Sequence, residues 1–288
     1  MSKLFIVPTP IGNLKDMTER AIETLKEVDL IAAEDTRHTQ QLLNVFDIKT
    51  KLISYHKFNE ISRSEEIINE ITVNNKNVAI VTDAGTPCIS DPGYELVKAA
   101  RENDVEVVGL AGASAVTIAL SIAGIDTNEF SFYGFLPRKK GELQNSLKKI
   151  LKNPIKTFII YESPKRIINL TQNIKEIMPN ATLCIVKELT KLHEHAFYGS
   201  VDEVLNKLNN FDAVEKGEYV VIGYNNDYVE QDSSLNAAVS IYGILFDKII
   251  QNDISLKEAV EKIVEEGIAT KNEAYKASLQ VKKFIENF

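Results

Sequence analysis

Five apolar runs of strand length, at residues 4–7, 30–33, 52–55, 78–81 and 105–108, alternate with helical patterns at 18–27, 60–71, 93–101 and 114–123. Strand-length runs that take turns with amphipathic segments specify a mostly parallel sheet covered by helices. A second series, at residues 130–133, 157–161, 182–186, 196–198 and 218–222, carries fewer helical patterns between its runs and predicts a mixed sheet. The polar stretch 225–234 reads as a linker. Residues 235–288 show only helical periodicity, with Ser255 and Lys257-Glu258 opening one helix and Gly267 marking its end. The expected architecture is α/β and two-lobed, with lobes at 1–126 and 127–228 and a small helical domain at 229–288.

Composition narrows the class. Hydrophobic residues at 44% and charged residues at 26% of 288 suit a globular protein and exclude disordered, collagen-like and coiled-coil chains. Cys88 and Cys184 form no CxxC pair, so neither a disulfide framework nor a zinc ribbon is available, and a reducing, cytoplasmic compartment is expected. The N-terminal apolar run meets prolines and a Gly-Asn turn, unlike a secretory signal. Residues 107–125 hold 19 positions without a formal charge, the lower bound for a spanning helix. Their glycines, serines and alanines predict a buried strand, a turn and a small-residue helix, and no membrane contact.

The net charge of −8 argues against generic adhesion to nucleic acid. Local charge differs: residues 138–156 hold seven basic residues, beginning Arg138, Lys139 and Lys140, against the single acid Glu142. Taken alone, that window is a solvated helix face.

The unusual local sequences follow predicted strands, where open α/β sheets bind ligands. After the first comes Pro8-Thr9-Pro10-Ile11-Gly12-Asn13, a stiff loop in which Gly12 permits close approach, followed by Asp16 to Glu19 as a cap signature. Neither G-x-G-x-x-G nor G-x-x-x-x-G-K-[ST] occurs there, so a nicotinamide or nucleotide-phosphate loop has no motif support. The fourth strand runs into TDAGTPCISDPG, residues 82–93. Asp91 and Pro92 suit the N-cap and first position of the next helix. Asp83 has no such role; a carboxylate there can accept from an ammonium or hydroxyl while the Gly85 backbone lies against a ligand. The fifth strand ends in Leu110 to Ala115, whose small side chains leave amides open to an anionic group at a helix start.

Together VPTPIGNLKDMTERA, AEDTRHT at 33–39, TDAGTPCISDPG and GASA at 112–115 closely resemble the tetrapyrrole-methylase fold, and specifically its branch of ribosomal RNA small-subunit methyltransferases I. The resemblance continues through Phe135-Leu136-Pro137-Arg138, Tyr161 to Arg166 and Lys187 to Lys191, and covers roughly residues 3–225. It implies S-adenosylmethionine as methyl donor and the 2′-oxygen of a cytidine ribose in the decoding region of small-subunit rRNA as acceptor. It also implies a homodimer acting on small-subunit rRNA or the small ribosomal subunit. By resemblance, Ile11, Asp83 and Thr86 bind the cofactor, Ser114 and Ala115 lie beside its methionine part, and Tyr161 and Val186 line the adenine side. Gly12 and Gly85 join this set through their loops.

A ribose hydroxyl is a poor nucleophile, and a base that takes its proton adds about 10² to 10⁴-fold. Glu34, Asp35 and Glu188, at or just after strand ends, are the candidates. A capping role for Asp35 or Thr36, with Arg37 paired to Glu34, stands beside the catalytic one. Arg37, Arg166 and Lys187 are candidate phosphate contacts, and the basic window from Arg138 through Lys139 and Lys140 suits an RNA backbone. His193-Glu194-His195 lacks metalloenzyme spacing and a cysteine partner, so no metal site is expected. A tetrapyrrole methyltransferase and a non-catalytic ribosome-binding protein are the alternative functions.

Overall fold

The computed structural model describes residues 2–229, 241–252 and 254–285. The chain divides into two compact units, Met1–Tyr228 and Val229–Phe288.

The first unit begins with strands β1 (Lys3–Ile6), β2 (Leu30–Ala33), β3 (Leu52–Ser54), β4 (Val78–Val81) and β5 (Glu106–Gly109), all parallel in the order β3-β2-β4-β1-β5. Helices α1 (Glu19–Glu27), α2 (Thr36–Val45), α3 (Glu60–Thr72) and α4 (Tyr94–Glu102) cover this sheet. Alternation along a strand sends successive side chains to opposite faces. Leu30 and Ala32 accordingly pack with Ile67, Ile71 and Leu96, while Ile31 and Ala33 pack with Ala21, Leu25 and Leu43. Burial on both faces explains why β2 and β4 read as unbroken apolar runs. One local reading changes: the cap of α1 is Thr18, whose hydroxyl accepts from the Ala21 amide, because Asp16 closes a short 3-10 turn. Residues 36–45, outside the helical patterns read above, form α2, and Asp35 caps it as the capping alternative had it.

Beyond helix α5 (Ala115–Ile122), strands β6 (Phe130–Phe135), β7 (Thr157–Glu162), β8 (Thr182–Lys187), β9 (His195–Ser200) and β10 (Tyr219–Tyr224) form a mixed sheet in the order β6-β7-β10-β8-β9. Only β6 and β7 are parallel. The expectation of few helices here is corrected by α6 (Lys140–Leu151), α7 (Ile167–Ile177) and α8 (Val201–Asn209). Within the basic window, Leu143, Leu147 and Ile150 supply a helical apolar stripe that packs on the sheet with Leu170 and Val204. Gly223 stands opposite Phe158 on β7, so close that a Cβ would run into the ring.

The opposite face of the second sheet is covered by α5, where Val116, Ala119, Leu120 and Ala123 pack with Ile159, Cys184, Val220 and Ile222. This seam accounts for the uncharged residues of α5, while Val107, Val108 and Leu110 pack in the core of the first sheet. The polar stretch from 225 does not begin as a free linker: Asn225 is fully buried, and its carboxamide donates to the Leu151 carbonyl at 2.9 Å, at the carboxyl end of α6. Residues 230–234 of that stretch and 235–240 of the expected helical tail lie outside the described residues.

The second unit holds α9 (Ile241–Asn252), α10 (Leu256–Glu265) and α11 (Lys271–Ile285) around Leu245, Ile263, Ala274 and Val281. Ser255 and Glu258 form a reciprocal capping box at the start of α10, and Gly267, at φ 69°, follows its end. Among the described residues no helix is long and apolar enough to cross a membrane.

Candidate active site

The sheet order places β4, β1 and β5 side by side, so the three unusual loops that follow them meet at one edge. They are joined to one another. Thr9 and Gly85 exchange backbone hydrogen bonds, the Thr9 hydroxyl donates to the Thr82 carbonyl at 3.0 Å, and the Thr86 hydroxyl donates to the Ala113 carbonyl at 2.9 Å. Gly112 presses on Pro8 so closely that no Cβ fits between them. Under these loops and the carboxyl end of β7 lies a cleft of about 330 Å³. Ile11, Gly85, Thr86, Ser114 and Ala115 line it from the first lobe, and Tyr161 from the second.

Backbone strain concentrates beside this cleft. Gly85, Cys88, Ser90 and Gly93 all have positive φ, at 86°, 71°, 72° and 139°. Left-handed conformations at non-glycine residues persist where the surroundings over-determine them, and they cluster at functional sites. One consequence concerns Asp91. The N-cap of α4 is Gly93, whose amide donates to the Glu60 carboxylate at 2.8 Å, so Asp91 does not cap the helix as its sequence position suggested. Asp91 lines the cleft instead. Burial, together with the negative charges of Glu34 and Asp83, pushes it up to about 7. Sequence reasoning missed Asp91 as a lining residue because Asp-Pro reads equally well as the N-cap and first position of α4. It also missed Ile89, Ser90, Phe135 and the 217–220 segment as lining residues. Their signals, a strained loop and a bulge between Phe132 and Phe135, exist only in three dimensions.

The carboxylates singled out in the sequence fall into different settings. Asp35 accepts from the Arg37 backbone amide at 2.9 Å and pairs with the Arg37 guanidinium at 3.1 Å, which holds it down to about 2. It is therefore Asp35, not Glu34, that pairs with Arg37. Glu188, at φ 53°, accepts from Lys191 Nζ and the Glu218 amide, both at 3.0 Å; burial raises its carboxyl, but these bonds outweigh burial and hold it below the usual range. Glu34 is half-buried, and desolvation followed by the Asp83 charge raises it. Asp83 is exposed, accepts from the Asp35 amide at 3.1 Å and, with Gly12, lines a second cavity rather than the cleft.

Val186 does not face the cleft. It is fully buried in the seam under α5 and pairs in register with Val220, which does line the cleft. Strand polarity alone could not distinguish floor from lining. The basic candidates divide similarly. Arg138, Lys139 and Lys140 are exposed at the start of α6, close in sequence to the cleft residue Phe135. Arg37 is exposed but engaged with Asp35. Lys187, only 4% exposed, lies over the Phe211 ring and is not available to phosphate. Arg166 is committed to the buried carboxylate of Glu162 at 3.0 Å and to the carbonyls of Leu136 and Pro137. Packing in the second lobe buries Lys187 and leaves Arg166 partly exposed but engaged. His195 stacks on Phe211, and among the described residues no group of three acidic, histidine or cysteine side chains gathers to hold a metal.

The cleft suits S-adenosylmethionine, which presents an ammonium, a carboxylate, a sulfonium and an adenine. Ser114 makes no side-chain cap bond at the start of α5, and the first turn holds no acid, so its amides remain available to a carboxylate. Tyr161, edge-on to Phe132 and Phe135, offers an apolar wall.

The family model of tetrapyrrole (corrin/porphyrin) methylases matches residues 3–205. Ribosomal RNA small subunit methyltransferase I of Bacillus subtilis strain 168 is 41% identical over 283 residues, covering 96% of this chain and 94% of that protein. The protein of the same name from Escherichia coli O157:H7 is 38% identical, with 96% and 95% covered. Among solved structures, diphthine synthase aligns with a TM-score of 0.58 at 14% identity, over 77% of this chain and 89% of that one. The uroporphyrin-III-C-methyltransferase of Thermus thermophilus aligns at 0.54 and 16%, over 77% and 94%. These distant structures establish the fold alone. With the family match across both lobes and relatives near 40% identity along almost the whole chain, the protein belongs to the tetrapyrrole methylases and, within them, to the ribosomal RNA small-subunit methyltransferase I family, with S-adenosylmethionine as methyl donor.

Proposed function

We propose that this chain transfers a methyl group from S-adenosylmethionine to the 2′-oxygen of a cytidine ribose in the decoding region of small-subunit rRNA. The observation that carries the reading is the near full-length identity to proteins named for rRNA small-subunit methylation. The exposed cations Arg138, Lys139 and Lys140 support it, because an acidic chain needs such a local stripe to meet an RNA backbone. Arg37 joins that surface once it exchanges Asp35 for phosphate. A homodimer and a cytoplasmic site of action belong to the same proposal.

The bound donor supplies an electrophilic methyl group on a sulfonium. The chain's task is to align the acceptor oxygen and to remove its proton. Asp35 and Glu188 are tied to Arg37 and Lys191. Of the carboxylates lining the cleft, Glu162 is paired with Arg166 and Glu218 with Lys191, whereas Asp91 is pushed up to about 7, so Asp91 takes the ribose proton. Glu34 acts through Asp91 by raising its affinity. Ile11, Gly85, Thr86, Ser114 and Ala115 hold the donor, with Tyr161 against its apolar part.

The test offers labelled donor to small ribosomal subunits, naked rRNA and a tetrapyrrole mixture, and maps any labelled nucleoside. Label in a 2′-O-methylated cytidine is expected. Label only in tetrapyrrole, or binding to subunits without transfer, overturns the reading.

A further inference from the structure

A second cavity of about 490 Å³ opens on the far side of Ile11 and Ala84, and these two residues together with Glu218 belong to both its wall and that of the cleft. Its other wall is one face of α2. His38, Gln41, Leu42 and Val45 lie at the i, i+3, i+4, i+7 spacing that brings side chains onto a single helical stripe. This face neither packs into the core nor reads as a solvated surface: Val45 is 60% exposed, and Leu14 across the cavity is 48% exposed. The Gln41 carboxamide has no hydrogen-bond partner among the described residues. Among the described residues Lys191 is the one lysine or arginine lining the cavity, and Glu188 and Glu218 neutralise it at 3.0 and 2.8 Å. With Asp83 also present, the cavity repels phosphate and suits a flat neutral group.

We propose that this cavity receives the base of the acceptor nucleotide, extruded from the rRNA strand, with Leu14, Leu42 and Val45 against its faces and Gln41 bonded to its edge. The inference rests on the proposed ribose methylation and adds where the acceptor lies. In a nucleotide the base is attached to the carbon next to the one bearing the 2′-oxygen. A ribose poised over the cleft therefore carries its base into whatever space adjoins the cleft, and this cavity adjoins it. Enzymes that do chemistry on a base within a stacked strand extrude it, hold it between apolar walls and read its polar edge, and an acceptor base seated here would be held in the same way. A carboxamide, with one acceptor and two donor hydrogens, matches such an edge.

The experiment compares Val45→Trp, which fills the cavity from an exposed position, and Gln41→Ala with wild type and with Gln40→Ala, a change on the neighbouring face of α2. Each is measured for kcat and KM with unmethylated small ribosomal subunits, for S-adenosylmethionine affinity by calorimetry, and for melting temperature. Val45→Trp is expected to lower kcat/KM roughly 100-fold, and Gln41→Ala roughly 10- to 100-fold, the range for losing a buried hydrogen bond. Cofactor affinity and Gln40→Ala activity stay at wild-type values. Leu14→Trp, entering from the opposite wall, replaces Val45→Trp should that variant not fold. Wild-type kcat/KM in the filled variant and in Gln41→Ala overturns the base seat while leaving ribose methylation standing. Absence of rRNA methylation by the wild type instead overturns the functional reading, and the base seat with it.

Discussion

Thr9 and Gly85 exchange a pair of backbone hydrogen bonds, the Thr9 amide to the Gly85 carbonyl at 2.9 Å and the Gly85 amide to the Thr9 carbonyl at 3.0 Å. The pair fastens the first proline-rich loop to the strained loop after β4. Gly85 sits at φ 86°, a conformation that costs a side-chain-bearing residue about 1–2 kcal/mol. Gly85→Ala is therefore expected to lower unfolding free energy by about that amount. It should also weaken S-adenosylmethionine binding, read by calorimetry, because both loops wall the cleft.

Removing the partner of the buried Glu162 has a larger effect. Burial raises the Glu162 carboxyl, with the Ser163 amide and the Arg166 charge opposing the rise. Arg166→Ala leaves that group without its cation and frees two carbonyls, so a loss of roughly 3–5 kcal/mol is expected in urea unfolding. Arg166→Ala combined with Glu162→Gln should recover part of it. A loss confined to RNA affinity, at unchanged stability, would return Arg166 to a phosphate-binding role.

The pH dependence follows from Asp91. Its folded pKa of about 7 lies above the ordinary aspartate value of 3.8, so the folded state binds more protons than the unfolded state between those limits. Stability contributed there is present at low pH and falls as pH rises toward 7, by roughly 2–4 kcal/mol. Asp91→Asn should abolish that fall, measured as melting temperature against pH.

Activity should move in the opposite sense. With Asp91 as the proposed base, kcat/KM is expected to increase through pH 7 in the wild type as its carboxyl ionises. Asp91→Asn lowers it by about 10² to 10⁴. Glu34→Gln removes a negative neighbour and shifts the midpoint to lower pH, whereas Asp35→Asn leaves the midpoint in place. A wild-type midpoint unaffected by Glu34→Gln would show that Glu34 does not act through Asp91.

For the RNA surface, Arg138→Ala with Lys140→Ala should reduce the salt dependence of subunit binding. Each lost phosphate contact lowers the slope of log affinity against log salt by about 0.7 on a single strand. Lys187→Gln, buried against Phe211, should leave that slope unchanged.

The sequence by itself determined the parallel first sheet, the mixed second sheet and the three loops that matter, because strand alternation and Gly/Pro/Asp turn chemistry are written within a few neighbouring residues. Tertiary structure alone decided what those residues meet. Asp91 became a cleft residue once Gly93 and Glu60 took over the start of α4. Val186 sank beneath α5, Lys187 went under Phe211, and Arg166 turned to Glu162. α2 came to face a cavity walled by Lys191 and Glu218, far along the chain. Local periodicity marks which face of an element is apolar, but which distant element covers that face is settled by packing, and with it which charges stay exposed to a substrate.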